Sequence, residues 1–256
     1  MPPQQQNLLL RVACPRVDGF SFSHARHVIQ KTVESCKRAA DKEGLAVPLA
    51  VVLPEHAHDF TSKHGDVARH AEKIIRFLPS DIWVAVLFAA MEVDNSVASN
   101  MGYFVTKNGH DFSPKRAYTE YDEAILGGRV FGSRYYQGWV ERGEWLQSEQ
   151  VPFPSKATPT GVQLEHRICI DVVGEPGQSN WNTVLLVSAH KLYTPHSRLA
   201  GKQCASIVNY NCRNEVALMN SDANPSWSWE FECKSENEAF ILLSKKPSLK
   251  NPAAQA

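Results

Sequence analysis

Two rhythms of apolar and polar positions alternate through the first third of the chain. Leu8 to Cys14 (L-L-L-R-V-A-C) is a dense apolar run that predicts a buried strand, closed by Pro15, which cannot continue a ladder. A helical period follows. Ser21 or Ser23 supplies a cap, Val28, Ile29, Val33, Cys36 and Ala40 recur on one face, and Gly44 offers the left-handed stop. Leu49 to Leu53 is a continuous apolar run of the type covered on both faces, and Pro54-Glu55 closes it. Gly65 to Pro79 predicts a second helix with Val67, Ala71, Ile74, Ile75 and Leu78 inward, and Asp81 to Val93 another buried strand. Strand, helix, strand, helix, strand is the order of an α/β domain.

The pattern then changes. Residues 102–107 and 110–112 read as a hairpin turning on Asn108-Gly109, a strong two-residue turn signal. From Ser113 to Pro159 the chain is polar, aromatic and irregular, and so long a loop-rich insert in a compact domain usually carries function. Gly161 to Glu175 returns to strand spacing with Val162, Leu164, Ile168, Ile170 and Val172, and leaves through the turn residues Gly174 to Gly177. Val184 to Ala189 predicts a further buried strand and 193–205 a helix. Short strands are expected near 206–209, 216–220, 227–233 and 239–243. We expect one domain over 1–245 and a disordered tail over 246–256.

Composition narrows the function. The 256 residues are 43% hydrophobic, enough to close a sizeable core, and 27 basic residues balance 27 acidic ones. Without an overall field, nucleic acid and anionic membranes are disfavoured as partners and small molecules or peptides favoured. The six Cys form no C-x-x-C pair, which suits a reducing compartment. The first residues are neither basic nor apolar, and no apolar run approaches the roughly 20 residues of a membrane span. A cytoplasmic protein is expected.

Three ionisable residues stand just past the ends of apolar strands or hairpins: Glu55, Lys115 and Cys169. Strand ends converge in a layered α/β fold, so residues remote in sequence can share one site. A free thiol has a pKa of about 8.5, so a carboxylate such as Glu55 must take its proton, or a cation must favour the thiolate. Lys115 and the backbone N–H of Ile170 would then hold the oxyanion formed when the thiolate adds to a carbonyl. The plainer reading of Cys169 is a small apolar core residue. A metal-dependent amidohydrolase barrel is a rival, because His56 and His58 alternate after a buried strand with Asp59 next, and His110, His166, His190 and His196 are further candidate ligands. A non-catalytic binding module is the other alternative.

The order of these motifs resembles the nitrilase superfamily of carbon–nitrogen hydrolases. Val51-Val52-Leu53-Pro54-Glu55 is similar to the strand ending in Pro-Glu. Asn108-Gly109 leading to Pro114-Lys115-Arg116 resembles the approach to the family lysine, and Ile168-Cys169-Ile170-Asp171 with Glu175 resembles the nucleophile block. The resemblance covers residues 8 to about 220. It implies a four-layer α-β-β-α sandwich with two mixed sheets, with Glu55 as base, Lys115 as supporting cation and Cys169 as attacker. It also implies a second glutamate, Glu123 or in its place Glu120, that orients the substrate amide. Asp171 after Cys-Ile resembles the amidase-type branch and so implies an amide substrate, with no cofactor or metal. His190 and Trp139 are candidate pocket residues, and family members usually pair as homodimers. The compact Glu175-Pro176-Gly177 stretch and the short region after Asn220 depart from the family pattern.

Overall fold

The structure, a computed structural model, describes residues 7–17, 21–44, 46–55, 57, 65–94, 97–115, 130–131, 153–169, 171, 181–189, 204–210, 215–234 and 238–247. The chain opens with β1 (Leu8–Pro15), α1 (Phe22–Glu43), β2 (Leu49–Val52), α2 (Asp66–Phe77) and β3 (Val84–Asp94). It continues through β4 (Val97–Thr106), β5 (Gly109–Pro114), β6 (Val130–Phe131), β7 (Ser155–Ala157) and β8 (Gln163–Ile168). It closes with β9 (Thr183–Ala189), β10 (Ala205–Tyr210), β11 (Glu215–Met219), β12 (Trp227–Lys234) and β13 (Glu238–Lys245).

Local chemistry sets the helix ends. The Ser21 hydroxyl accepts from the His24 N–H at 3.2 Å, and Gly44 ends α1 at φ 69°, as the sequence predicts. Ala25, Ile29, Val33, Cys36 and Ala40 form the buried stripe of that helix. In α2 the stripe is Val67, His70, Ala71 and Ile74.

The strands form two mixed sheets. The first runs β12-β13-β1-β2-β3-β4-β5, with β6 beside β4, and the second runs β11-β10-β9-β8-β7. The core triplet β1-β2-β3 is parallel in the first sheet, as is β8-β9-β10 in the second. Helices α1 and α2 cover the outer face of the first sheet through Leu49, Val51, Val84, Val86, Phe88, Tyr103 and Val105. The opposite face, carrying Leu10, Val12, Ala50, Val52, Leu87 and Phe104, packs against Val162, Leu164, Val184, Leu186 and Ile207 of the second sheet. This α/β architecture is the two-sheet sandwich expected from the sequence. It is not a barrel, which overturns the amidohydrolase-barrel alternative. Among the described residues no helix is long and apolar enough to cross a membrane.

The layer between the sheets changes polarity along the strands. It is hydrocarbon at Leu10, Leu164, Leu186 and Phe104. Toward the C-terminal ends of β1, β2, β8 and β9 buried polar groups take over: His166 Nε2 lies 3.0 Å from Ser188 Oγ, and Asn209 Nδ2 donates to the carbonyls of Pro15 and Val52 at 3.2 and 2.7 Å. The first contact joins neighbouring strands of the second sheet and the Asn209 bonds bridge sheet to sheet, where desolvation would otherwise penalise polar atoms.

Several expectations need correction. The hairpin pairs Thr106 with Gly109, so its loop is Lys107-Asn108 rather than Asn108-Gly109. The strand expected through Val172 stops at Ile168, where the backbone turns left-handed. A three-residue strand, β7, forms inside the stretch expected to be irregular. The helix expected over 193–205 lies outside the described residues except at its end, where Ala205 already begins β10. The region after Asn220, short for the family, still forms a hairpin, β12–β13, which pairs with β1. Most of the expected tail, 248–256, lies outside the described residues.

Candidate active site

Three strand ends meet at one edge of the sandwich. After β2 the chain follows β3 a little further, with the Leu53 N–H donating to the Leu87 carbonyl at 2.8 Å. Pro54 then removes a donor and frees the chain from its neighbour. The Glu55 N–H crosses to the second sheet and donates to the carbonyl of Ala189, the last residue of β9, at 3.2 Å. In the parallel register of β8 and β9, Ile168 sits beside Ser188, so Cys169 is the next residue along, on the same edge as Ala189. Cys169 packs with Ala89, Ile168 and Ala189 and is 6% exposed.

Lys115 arrives from the other flank. Asn100 and Lys115 continue the ladder past the last β4–β5 pair, Met101 with Pro114, and the Lys115 N–H donates to the Asn100 carbonyl at 2.7 Å. The Lys115 ammonium donates to Glu55 Oε1 at 2.9 Å, and both side chains are 1% exposed. The Asn100 amide donates to the same oxygen at 2.6 Å. A fully buried ion pair loses so much hydration that it is a poor device for stability alone.

Cys169 has φ 46°, a left-handed conformation rare for a residue with a Cβ. Such strain persists only where surrounding bonds enforce it. Arg167 supplies one such bond. Its guanidinium is fully buried, bonds Glu165 Oε1 through Nε at 2.7 Å and Nη2 at 2.6 Å, and lies 4.4 Å from the centre of the Phe153 ring. Its Nη1 donates to the Asp171 carbonyl at 3.0 Å, tying the far side of the cysteine turn back to β8.

Close packing of the sheets brings β4 and β8 together behind the cysteine. Gly102 has no side chain, and a Cβ there would stand 3.1 Å from His166 Nδ1 and 3.2 Å from two atoms of Ile168. Burial pushes the His166 pKa down to about 3, so the imidazole is neutral at physiological pH.

Of the residues singled out from the sequence, Glu55 and Lys115 are in direct contact, and Cys169 shares the Ala189 edge with Glu55. Asp171, two residues after Cys169, is buried, and its carbonyl accepts from Arg167. Glu120, Glu123, Trp139, Ile170 and His190 lie outside the described residues, as do His56, His58 and His196. His110 packs against Tyr103 and Phe112, and His166 sits between the sheets. Among the described residues no cluster of His, Cys, Asp and Glu could hold a metal ion. Sequence reasoning missed Asn100, Arg167 and Phe153. The signals were an Asn at an inward strand position and an Arg at strand parity just before the cysteine.

No protein-family model matches the sequence, and no curated protein matches it. Solved structures do resemble the fold. A cysteine-to-alanine mutant of the amidase from Nesterenkonia sp. AN1, in complex with butyramide, superposes with a TM-score of 0.56 at 10% identity, over 94% of this chain and 92% of that one. A double mutant of the same amidase, with acrylamide, gives 0.57 at 11% identity over 98% and 94%. A CN-hydrolase superfamily protein from Xanthomonas campestris, with an arsenic adduct in its active site, gives 0.50 at 13% identity over 93% and 91%. The chain therefore has the fold of the carbon–nitrogen hydrolase, or nitrilase, superfamily.

Proposed function

We propose that this protein is a thiol hydrolase that cleaves a small or primary amide, with Cys169 as nucleophile, Glu55 as base and Lys115 as electrostatic support. The observation that carries this reading is the buried Lys115–Glu55 pair at 2.9 Å on the edge where the strained Cys169 turn ends β8. Glu55 takes the thiol proton, and the thiolate adds to the amide carbon. Lys115 and the Ile170 N–H stabilise the oxyanion, and Glu123, or Glu120 in its place, orients the amide. The tetrahedral adduct collapses with loss of ammonia or amine, which receives its proton from Glu55, leaving a thioester. Water, deprotonated by Glu55, attacks the thioester and frees the acid and the thiol. His190 and Trp139 line the substrate side, and the chemistry needs no cofactor or metal. The fold also supports the reading, since neighbours of the same fold hold butyramide and acrylamide.

The test is intact-mass and peptide mass spectrometry after exposure to a panel of small amides, with ammonia release measured in parallel. An acyl adduct on Cys169 is expected. Cys169→Ala is expected to abolish turnover, and Lys115→Ala to reduce it about 100-fold or more. Retained turnover in Cys169→Ala, or its loss on adding a chelator, would discard the mechanism. Preferential alkylation of Cys169 at neutral pH separates an enzyme from a binding module on the same fold. Cys14 and Cys204 are fully buried, and burial raises the pKa of the Cys14 thiol and pushes that of Cys36 up to about 12. The exposed Cys233 is the comparison site for labelling.

A further inference from the structure

We infer that Asn100 is the positioning residue of this site, holding Glu55 ionised and correctly turned while its backbone sets the place of Lys115. The inference rests on the reading of Glu55 as base and adds a residue to it. Asn100 is fully buried on β4 and makes two bonds to the pair. Its Nδ2 donates to Glu55 Oε1 at 2.6 Å, and its carbonyl receives the Lys115 N–H at 2.7 Å. One side chain and one backbone group therefore fix both ends of the Lys115–Glu55 bond.

The chemistry explains why an amide is needed. A buried carboxylate tends to take up a proton, because burial penalises the charged form. Lys115 opposes that, but a lone ammonium–carboxylate pair in low dielectric is itself open to neutralisation by proton transfer. A neutral donor favours the carboxylate and adds no charge of its own. Asn100 and Lys115 both donate to Oε1, which fills the two lone pairs of that oxygen. The amide cannot be reversed, because its own oxygen would then face the carboxylate.

The cost of the arrangement is visible. Asn100 Oδ1 is buried with no hydrogen-bond partner. Selection for stability alone disfavours such an orphan, since a buried polar atom without a partner loses its hydration uncompensated. Its presence fits a residue placed for what its Nδ2 does. Asparagine is also a poor strand former, and here it stands in β4 on the face that carries Gly102 and Phe104 toward the second sheet.

The experiment compares wild type with Asn100→Leu, which removes the donor at similar size, and Asn100→Asp, which sets a second carboxylate against Glu55. Iodoacetamide labelling of Cys169 is followed by peptide mass spectrometry from acid to alkaline pH. Thermal melting shows which variants fold. In wild type the labelling rate is expected to rise through an acid limb set by ionisation of Glu55. That limb is expected to move up by about one pH unit in Asn100→Leu, roughly tenfold slower labelling below the midpoint, and further in Asn100→Asp. A merely structural role would lower the melting temperature and leave the limb in place, and an unmoved limb in the folded variants overturns the inference. Infrared titration of the Glu55 carboxyl, taken as the difference from Glu55→Gln, supplies an independent reading. If Cys169 proves inert while the Glu55 titration shifts with Asn100, the positioning stands and the thiol mechanism falls. If Cys169 reacts quickly and neither readout moves, the mechanism stands and Asn100 is structural.

Discussion

At the scale of single residues, Cys169 pays for its position. A left-handed conformation costs a residue with a Cβ about 1 kcal/mol relative to glycine, which adopts it freely. The usual ranking, in which Gly destabilises an extended chain relative to Ala, should therefore reverse at this one site. Cys169→Gly is expected to unfold at higher urea than Cys169→Ala, by about 1 kcal/mol, although neither retains the thiol. Equal midpoints, or a more stable Ala variant, would mean that the turn carries no strain. The cysteine itself was legible in the sequence as lying near a strand end, although the apolar alternation runs on through Val172 and the strand stops at Ile168. Its strain was not, since no residue pattern marks a left-handed cysteine. The glycines that do mark such turns, Gly44, Gly65 and Gly161, sit elsewhere.

At the scale of elements, β8 presents one row to each side. Leu164, His166 and Ile168 face the first sheet, while Glu165 and Arg167 form a buried pair on the other face. Removing one partner strands the other charge. Arg167→Ala should cost about 3–5 kcal/mol in urea unfolding, while Arg167→Met with Glu165→Gln, which removes both charges and keeps the volume, should recover most of it. An equal loss in the single and double variants would show that packing on Phe153, rather than charge, is what Arg167 supplies. The clamp was hidden from the sequence, where Glu165, His166 and Arg167 read as a polar break in the strand. The β4–β5 hairpin shows a subtler limit. A turn on Asn108-Gly109 would set Lys115 opposite Gly102, but the real loop, one residue earlier, sets it opposite Asn100. Only Gly109 takes a positive φ there, at 133°, and Asn108 does not, so the two-residue turn that wants positive φ at both centres never forms. A slip of one residue in a hairpin thus decides which side chain meets the lysine.

At the scale of the whole molecule, the apolar runs marked the buried strands and the α/β alternation up to β3, because burial on both faces leaves a clear mark, while the two-sheet layering was implied only by the family resemblance and the strand order is visible only in the structure. The polar bonds that tie the sheets together near the site left no such mark, because each joins residues far apart in the chain. His166 makes that layer sensitive to acid. Burial holds its pKa at about 3, against an ordinary value near 6.5, with Ser188 on one side and Gly102 close on the other. Between those two values the unfolded chain binds a proton that the folded chain refuses. Stability from this group is therefore complete above pH 6.5 and is lost as the pH falls toward 3. From pH 7 to pH 5 the loss is on the order of 2 kcal/mol. His166→Asn keeps an amide within reach of Ser188 and cannot titrate in this window. Urea unfolding of wild type and variant at a series of pH values should show the wild type losing stability faster on acidification, with the curves separating below about pH 6.5. Parallel curves would mean that protonated His166 is tolerated between the sheets, and that the polar layer under the site is wetter than its burial indicates.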